Sequence, residues 1–178
     1  VRFKVINAKN YGVPQSRPRT IFIGVRNDID AKITYPEGSD EFVSVWDAIG
    51  HIENTPKEID ESTHSEGIVK NYVRMLKEGE SGDMYAPSGY HGLVRVNRNK
   101  PSPTICARQG NKGACLIHFE EDRELTVTEI IRLSSFPVDY YLGEKYTQKT
   151  ERMGRAVPPL MMKAVAEHVY ETILSKIK

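Results

Sequence analysis

The chain has 178 residues, 39% hydrophobic and 28% charged, with a formal net charge of +1. This is long enough to bury about two-thirds of the unfolded surface, and no apolar run approaches the roughly 20 residues of a membrane helix. Two cysteines without CxxC or metal-ligand spacing argue against a disulfide framework and point to a reducing compartment.

Arg2 to Ile6 and Thr20 to Val25 read as strands, the second so continuously apolar that burial on both faces is expected. Between them runs Tyr11-Gly12-Val13-Pro14-Gln15-Ser16-Arg17-Pro18-Arg19. Pro14 and Pro18 hold the residues before them out of the helical region, so Gln15, Arg17 and Arg19 fall at alternate positions on one face of an extended segment. One amide and two guanidinium forks suit a phosphate or a carbonyl-rich base edge; a pair of solvated arginines on an edge strand has the same spacing. Ser44 and Asp47 predict a short capped helix ending at Gly50, with Trp46 as an anchor. Ser65 is expected to cap a helix running to about Glu78, with Ile68, Tyr72, Val73 and Leu76 on one side and Gly79 past its end.

Charge is unevenly placed. From Asp28 to Glu66 eleven carboxylates stand against Lys32 and Lys57, whereas Met84 to Phe119 carries Arg95, Arg98, Lys100, Arg108 and Lys112 and no carboxylate. That second stretch is the footprint of phosphate contact, or of a basic hairpin with no partner. Gly89, Gly92, Gly110 and Gly113 allow close backbone approach, and Tyr85, Tyr90 and His91 offer stacking surfaces. Leu93 to Val96, Thr104 to Ala107 and Ala114 to His118 read as short strands. Thr126 and Glu129 form a capping box for a helix through Leu133, stopped by Pro137. Pro158 or Pro159 starts a last helix with Met161, Val165, Val169 and Ile173 on one stripe. Leu160, Ala164, Leu174 and Ile177 widen that stripe, so the helix is expected to pack into something larger than this domain. His51, His64 and His168 lack convergent ligand spacing, and no metal site is expected.

Three stretches, in order, carry a family resemblance. They are the Tyr-Gly-Val-Pro-Gln-x-Arg-x-Arg run; Arg123-Glu124-Leu125-Thr126-Val127-Thr128-Glu129 continuing to Arg132-Leu133-Ser134-Ser135-Phe136-Pro137; and Gly154-Arg155-Ala156-Val157-Pro158-Pro159. Over nearly its whole length the chain resembles the DNA cytosine-5 methyltransferases. The family's Phe-x-Gly-x-Gly cofactor loop, Pro-Cys-Gln nucleophile loop and Glu-Asn-Val loop, which precede these motifs, are absent, and neither Cys106 nor Cys115 follows a proline. With Val1 opening in mid-strand, the chain reads as the C-terminal part of a longer enzyme or a separately encoded subunit of a split one.

The resemblance implies a mixed α/β architecture. Residues 1–27 would end a Rossmann-like catalytic domain, 28–150 would form a small target recognition domain of short strands and helices, and 151–178 would return a helix to the catalytic domain. It implies S-adenosylmethionine as cofactor, and double-stranded DNA and the missing N-terminal half as partners. In the family a cysteine thiolate adds to C6 of a flipped cytosine, and methyl is transferred to C5. Arg19 would approach the O2 side of the base and its phosphate, Arg17 would buttress the nucleophile and acid loops, and Gln15 would hold the turn. Arg95, Arg98, Lys100, Arg108, Gln109, Asn111 and Lys112 fall in the recognition region, with Thr104 and Ile105 in its Thr-aliphatic marker. Base readout is expected near Ser88 to His91 and Arg108 to Lys112. Arg155, standing where the family has Asn, would lie with Ala156 and Val157 beside the cofactor and meet the methionine carboxylate or point to solvent. Ser134 replaces a usual Gln, a change expected to touch packing. A non-catalytic DNA-binding protein and an RNA-directed member of the family are the alternative readings.

Overall fold

The computed structural model describes residues 1–62, 68–85, 92–107 and 115–177, with the helical backbone alone at 68–71. Strand β1 (Arg2–Asn7) pairs antiparallel with β2 (Pro18–Ile23), in register from Arg2↔Ile23 to Asn7↔Pro18. A single 3-10 turn, Ala8–Tyr11, leaves β1 and ends at Gly12, whose φ of 75° is a conformation glycine adopts without strain. Asn7 closes the connection. Its Oδ1 accepts from the Arg17 amide at 2.8 Å, and its Nδ2 donates to Ser16 Oγ at 3.1 Å.

Burial alternates along β2, whereas Arg2 to Val5 of β1 are all exposed. Ile6 and Ile23 are buried, whereas Phe3, Val5 and Phe22 are 60–68% exposed and the two phenyl rings sit 5.7 Å apart. The expectation that the second strand is buried on both faces is therefore corrected: within the described residues only one face has a covering layer. That layer comes from α6 (Pro159–Thr172), whose Met161 and Val165 join Ile6, Ala8 and Val13 in one core cluster. The expected stripe holds for Met161, Val165 and Ile173, but Leu160, Leu174 and Ile177 are 41–51% exposed. Ser135 adopts φ 60°, rare for a residue with a side chain, and its hydroxyl accepts from the Leu160 amide at 3.3 Å, serving a helix-start donor of α6 that has no intrahelical acceptor.

The regular elements in the middle of the chain are mainly helices. Helix α1 (Val45–Ile49) has both halves of the Ser44/Asp47 capping box, and α4 (Val127–Leu133) both halves of the Thr126/Glu129 box. Two helices were not anticipated. Helix α2 (Pro56–Ser62) carries the same signature, with the Thr55 and Glu58 side chains each accepting from the other's backbone amide. Helix α5 (Tyr146–Arg155) buries only Thr150 and Met153, too few apolar positions to mark a face. Helix α3 (Ile68–Met75) lies within the expected span, while its expected cap Ser65 lies outside the described residues. Strands β3 (Val94–Arg95) and β4 (Leu116–Ile117) pair in parallel. Residues 104–107 are not a strand; neighbouring Ser102 forms a lone bridge to Gln15 instead.

The largest core cluster joins Val45 and Ile49 of α1, Val96, Ile105, Leu125, Ile130 and Leu133 of α4 and Met153 of α5. Helix α5 runs across the expected 150/151 boundary, and its Met153 packs into this cluster.

Candidate catalytic-support site and nucleic-acid interface

Gln15 and Arg17, expected to share a face with Arg19, point inward. Gln15 is fully buried and Arg17 is 1% exposed. The Gln15 Nε2 donates to the Leu133 carbonyl and Ser134 Oγ, both at 3.3 Å, and its Oε1 accepts from Arg17 Nη1 at 3.2 Å and the Ile105 amide at 3.3 Å. Arg17 donates from Nη1 to the Ile105 carbonyl at 2.7 Å and from Nη2 to the Gly154 carbonyl at 2.6 Å. Around these side chains the backbone is stitched as well: Ser16 N to Ser102 O at 2.8 Å, Ser102 N to Pro14 O at 3.0 Å, and Thr104 Oγ1 to Ser16 O at 2.7 Å. Ser134, the departure from the family's Gln, thus takes up one proton of the Gln15 amide.

Arg17 is a buried cation. Burial first, and then Arg19, pull its pKa down to about 10. Its Nε has no hydrogen-bond partner among the described residues. Arg19 differs: it is half-buried, and its Nη1 donates to the Pro18 carbonyl at 2.8 Å. Of the three same-face groups, Arg19 is the one with a guanidinium open to a ligand.

Gly154 shows why this site needs a glycine. A Cβ there would lie 2.3 Å from the Ala107 amide nitrogen and 2.4 Å from Cys106 C, both backbone atoms that cannot swing aside. Gly154→Ala should push the 104–107 segment off α5 and lower stability by roughly 1–3 kcal/mol, as overpacking does; a denaturant midpoint equal to wild type would contradict this contact.

The basic stretch needs correction. Arg95 is 5% exposed, and all five of its N–H donors are engaged: Nε with Leu76 O, Nη1 with the His118 and Glu121 carbonyls, and Nη2 with Val73 O and Asp122 Oδ1. It ties the carbonyls at the end of α3 to the turn after β4, so it is not placed for a phosphate. Ile105 is likewise corrected, since its side chain is fully buried in the main core. Arg98 bonds Glu78 at 2.7 Å and lies 4.9 Å over the Phe119 ring and 5.8 Å over Trp46, which leaves it half-buried. Lys100 is exposed and Thr104 half-buried. Tyr85 Oη donates within the fold, to Met75 O and Glu80. Arg108, Gln109, Asn111 and Lys112, and the readout segment Ser88 to His91, lie outside the described residues. Composition over-read the stretch because its counter-charges, Glu78 and Asp122, come from outside it.

Under this surface lies a buried polar cluster. Arg123 and Glu129, 3% and 1% exposed at their side chains, pair at 2.9 Å, and Asn54 Nδ2 donates to the same carboxylate at 2.8 Å. Burial opposes the Arg123 charge, but hydrogen bonds to Glu129 and Glu121 outweigh it and raise its pKa. His118 Nδ1 accepts the Glu120 and Glu121 amides at 3.2 and 3.1 Å, a neutral-ring arrangement. Burial is the main cause holding its pKa below the ordinary 6.5, with Glu129 opposing and Arg123 reinforcing it. A depressed folded pKa means the neutral ring adds stability in full above the unfolded value near 6.5, lost as pH falls through the lower folded value. Denaturant midpoints should therefore drop as pH falls below about 6.5, and His118→Gln should flatten that drop; an equally steep drop in the variant would remove His118 as its source.

At the last motif, the Arg155 side chain is 73% exposed and pairs with Glu151 at 2.6 Å, Val157 is 38% exposed, and Ala156 is half-buried. Among the described residues no group of three or more His, Cys, Asp or Glu could hold a metal ion, and no helix is long and apolar enough to cross a membrane.

The family model of C-5 cytosine-specific DNA methylases matches residues 1–171. Type II methyltransferase M1.HphI of Haemophilus parahaemolyticus is 35% identical over an alignment of 185 positions that covers 95% of this chain and 47% of that protein. Type II methyltransferase M.NgoFVII of Neisseria gonorrhoeae is 30% identical, over 89% of this chain and 46% of its own length. The chain thus spans about half the length of the curated relatives it matches. In fold, it superposes with a TM-score of 0.77 and 17% identity on a prophage-encoded DNA modification methyltransferase of E. coli, covering 99% of this chain and 61% of that one. The mixed α/β architecture is shared with that structure. The chain belongs to the C-5 cytosine-specific DNA methylase family and corresponds to roughly the C-terminal half of its type II methyltransferases.

Proposed function

We propose that this chain is the recognition and catalytic-support portion of a DNA cytosine-5 methyltransferase of a bacterial, cytoplasmic restriction-modification system, acting with an N-terminal half that carries the nucleophile. The observation that carries the reading is the convergence at Arg17, which ties the first motif to the last across 137 residues of sequence. Through Gln15 the same cluster reaches the second motif at Leu133 and Ser134. S-adenosylmethionine would supply the methyl group. The accessible Val157 and Arg155 fit a place beside it, with Glu151 competing for the Arg155 charge.

In this reading Arg19 donates to the cytosine O2 side, where negative charge builds as a thiolate adds to C6. Arg17 stays a supporting cation, its Nη groups holding segments of this chain together. Lys100 and Thr104, with Arg108, Gln109, Asn111 and Lys112, remain the proposed DNA contacts. Residues 1–27 and 151–178 belong with the catalytic domain, as the shared packing of Ile6, Val13, Met161 and Val165 supports. The open apolar face of Phe3, Val5 and Phe22 suits contact with the missing half.

The test is tritiated methyl incorporation into duplex DNA by the full-length enzyme, by this chain alone, and by a mixture of the two halves. Incorporation is expected for the full-length enzyme and none for the chain alone. Robust transfer by the chain alone would overturn the division of labour, and transfer to RNA but not duplex DNA would favour an RNA-directed enzyme.

A further inference from the structure

Gln15 and Arg17 are more completely enclosed than any ligand-facing role requires, and what they hold is specific. The Ile105 peptide is gripped at both ends, its N–H by Gln15 Oε1 and its C=O by Arg17 Nη1. The other arm of the Arg17 fork holds the Gly154 carbonyl. Two residues further along the same run stands Arg19, half-buried with its guanidinium at the surface. The segment gripped this way lies inside the 84–119 stretch proposed to recognise DNA.

We infer that Gln15 and Arg17 are positioning residues for sequence discrimination: they fix the 102–105 segment of the recognition stretch relative to Arg19, so that methylation is fast only when the correct site is docked. The inference rests on the proposed methyltransferase function. Its physical basis is the planar fork of Arg17, which spans two carbonyls from separate segments. A lysine ammonium in its place is a point charge that does not reproduce the two-pronged grip. A loosened grip lets the recognition segment shift against the reacting base, and displacements near 1 Å have large effects on rate. Discrimination suffers first because the wrong site is rejected only when the contact geometry is fixed.

The experiment uses the full-length enzyme, whose site is first read from the methylation pattern it leaves on genomic DNA. Single-turnover rates are then measured on the cognate duplex and on a duplex with one substituted base pair. Arg17→Lys is expected to lower the cognate-to-substituted rate ratio about tenfold, while Lys163→Ala, on the exposed side of α6, leaves the ratio unchanged. Should Arg17→Lys fail to fold, Gln15→Met removes the amide from the grip with little change of volume and is expected to lower the ratio several-fold. If both rates fall in proportion and the ratio holds in every folded variant, Arg17 and Gln15 only support packing and the inference is overturned. If the wild-type enzyme methylates no DNA, it is the proposed function that fails instead.

Discussion

Arg19→Ala in the full-length enzyme is expected to slow methyl transfer about 100- to 1000-fold at saturating DNA, the effect of removing one preorganised donor, or roughly 2.7–4 kcal/mol. The expectation follows from the contrast between neighbours two residues apart. Arg17 commits its Nη groups to carbonyls inside the protein, whereas among the described residues the Arg19 side chain bonds only the adjacent Pro18 carbonyl, in an exposed hydrogen bond. A donor aimed at charge that develops on the ring lowers the barrier more than it tightens ground-state binding. DNA affinity should accordingly fall much less than the rate. Arg19→Lys should recover part of the rate, since it keeps the charge and loses the fork. Single-turnover kinetics at saturating DNA decide the matter, and an unchanged transfer rate would return Arg19 to a solvated surface arginine.

Local signals were legible in the sequence where one segment sets its own structure. Ser44 with Asp47 and Thr126 with Glu129 predicted capped helices, and both boxes form. Pro159 at the start of α6 and the Met161–Val165–Ile173 stripe also held. What periodicity misjudged depends on partners distant in sequence. The alternate spacing of Gln15, Arg17 and Arg19 said that they share a face; it did not say that 102–105, α4 and Gly154 would close over two of the three. Arg95 looked like a phosphate ligand because its acceptors are backbone carbonyls, which leave no trace in composition. Asn7, which pins the Arg17 amide and Ser16, was missed because an asparagine after a strand is an ordinary turn residue. Helix α2 carried the same Thr-x-x-Glu signature as α4 and was legible in principle.

The largest effect on stability is expected at Glu129. Glu129→Ala should lower stability by roughly 3–5 kcal/mol, because it strands a buried charge and does not merely delete a favourable pair. The carboxylate accepts from Arg123 Nη1 at 3.0 Å and Nη2 at 2.9 Å, from Asn54 Nδ2 at 2.8 Å and from the Thr126 amide at 2.8 Å. Removing it leaves the Arg123 guanidinium without its buried counter-charge, orphans the Asn54 amide and opens the capping box of α4. Glu121 provides the internal control: it also pairs with Arg123, at 3.0 Å, but its side chain is 49% exposed, so Glu121→Ala should cost no more than about 1 kcal/mol. Replacing Arg123 and Glu129 together by methionine should destabilise by less than the sum of the two single changes, since no unpaired charge then remains buried. Urea midpoints at unchanged m-value measure each step. A Glu129→Ala midpoint matching that of Glu121→Ala would mean that the pair is solvated in solution, and that α4 is held by its apolar contacts alone.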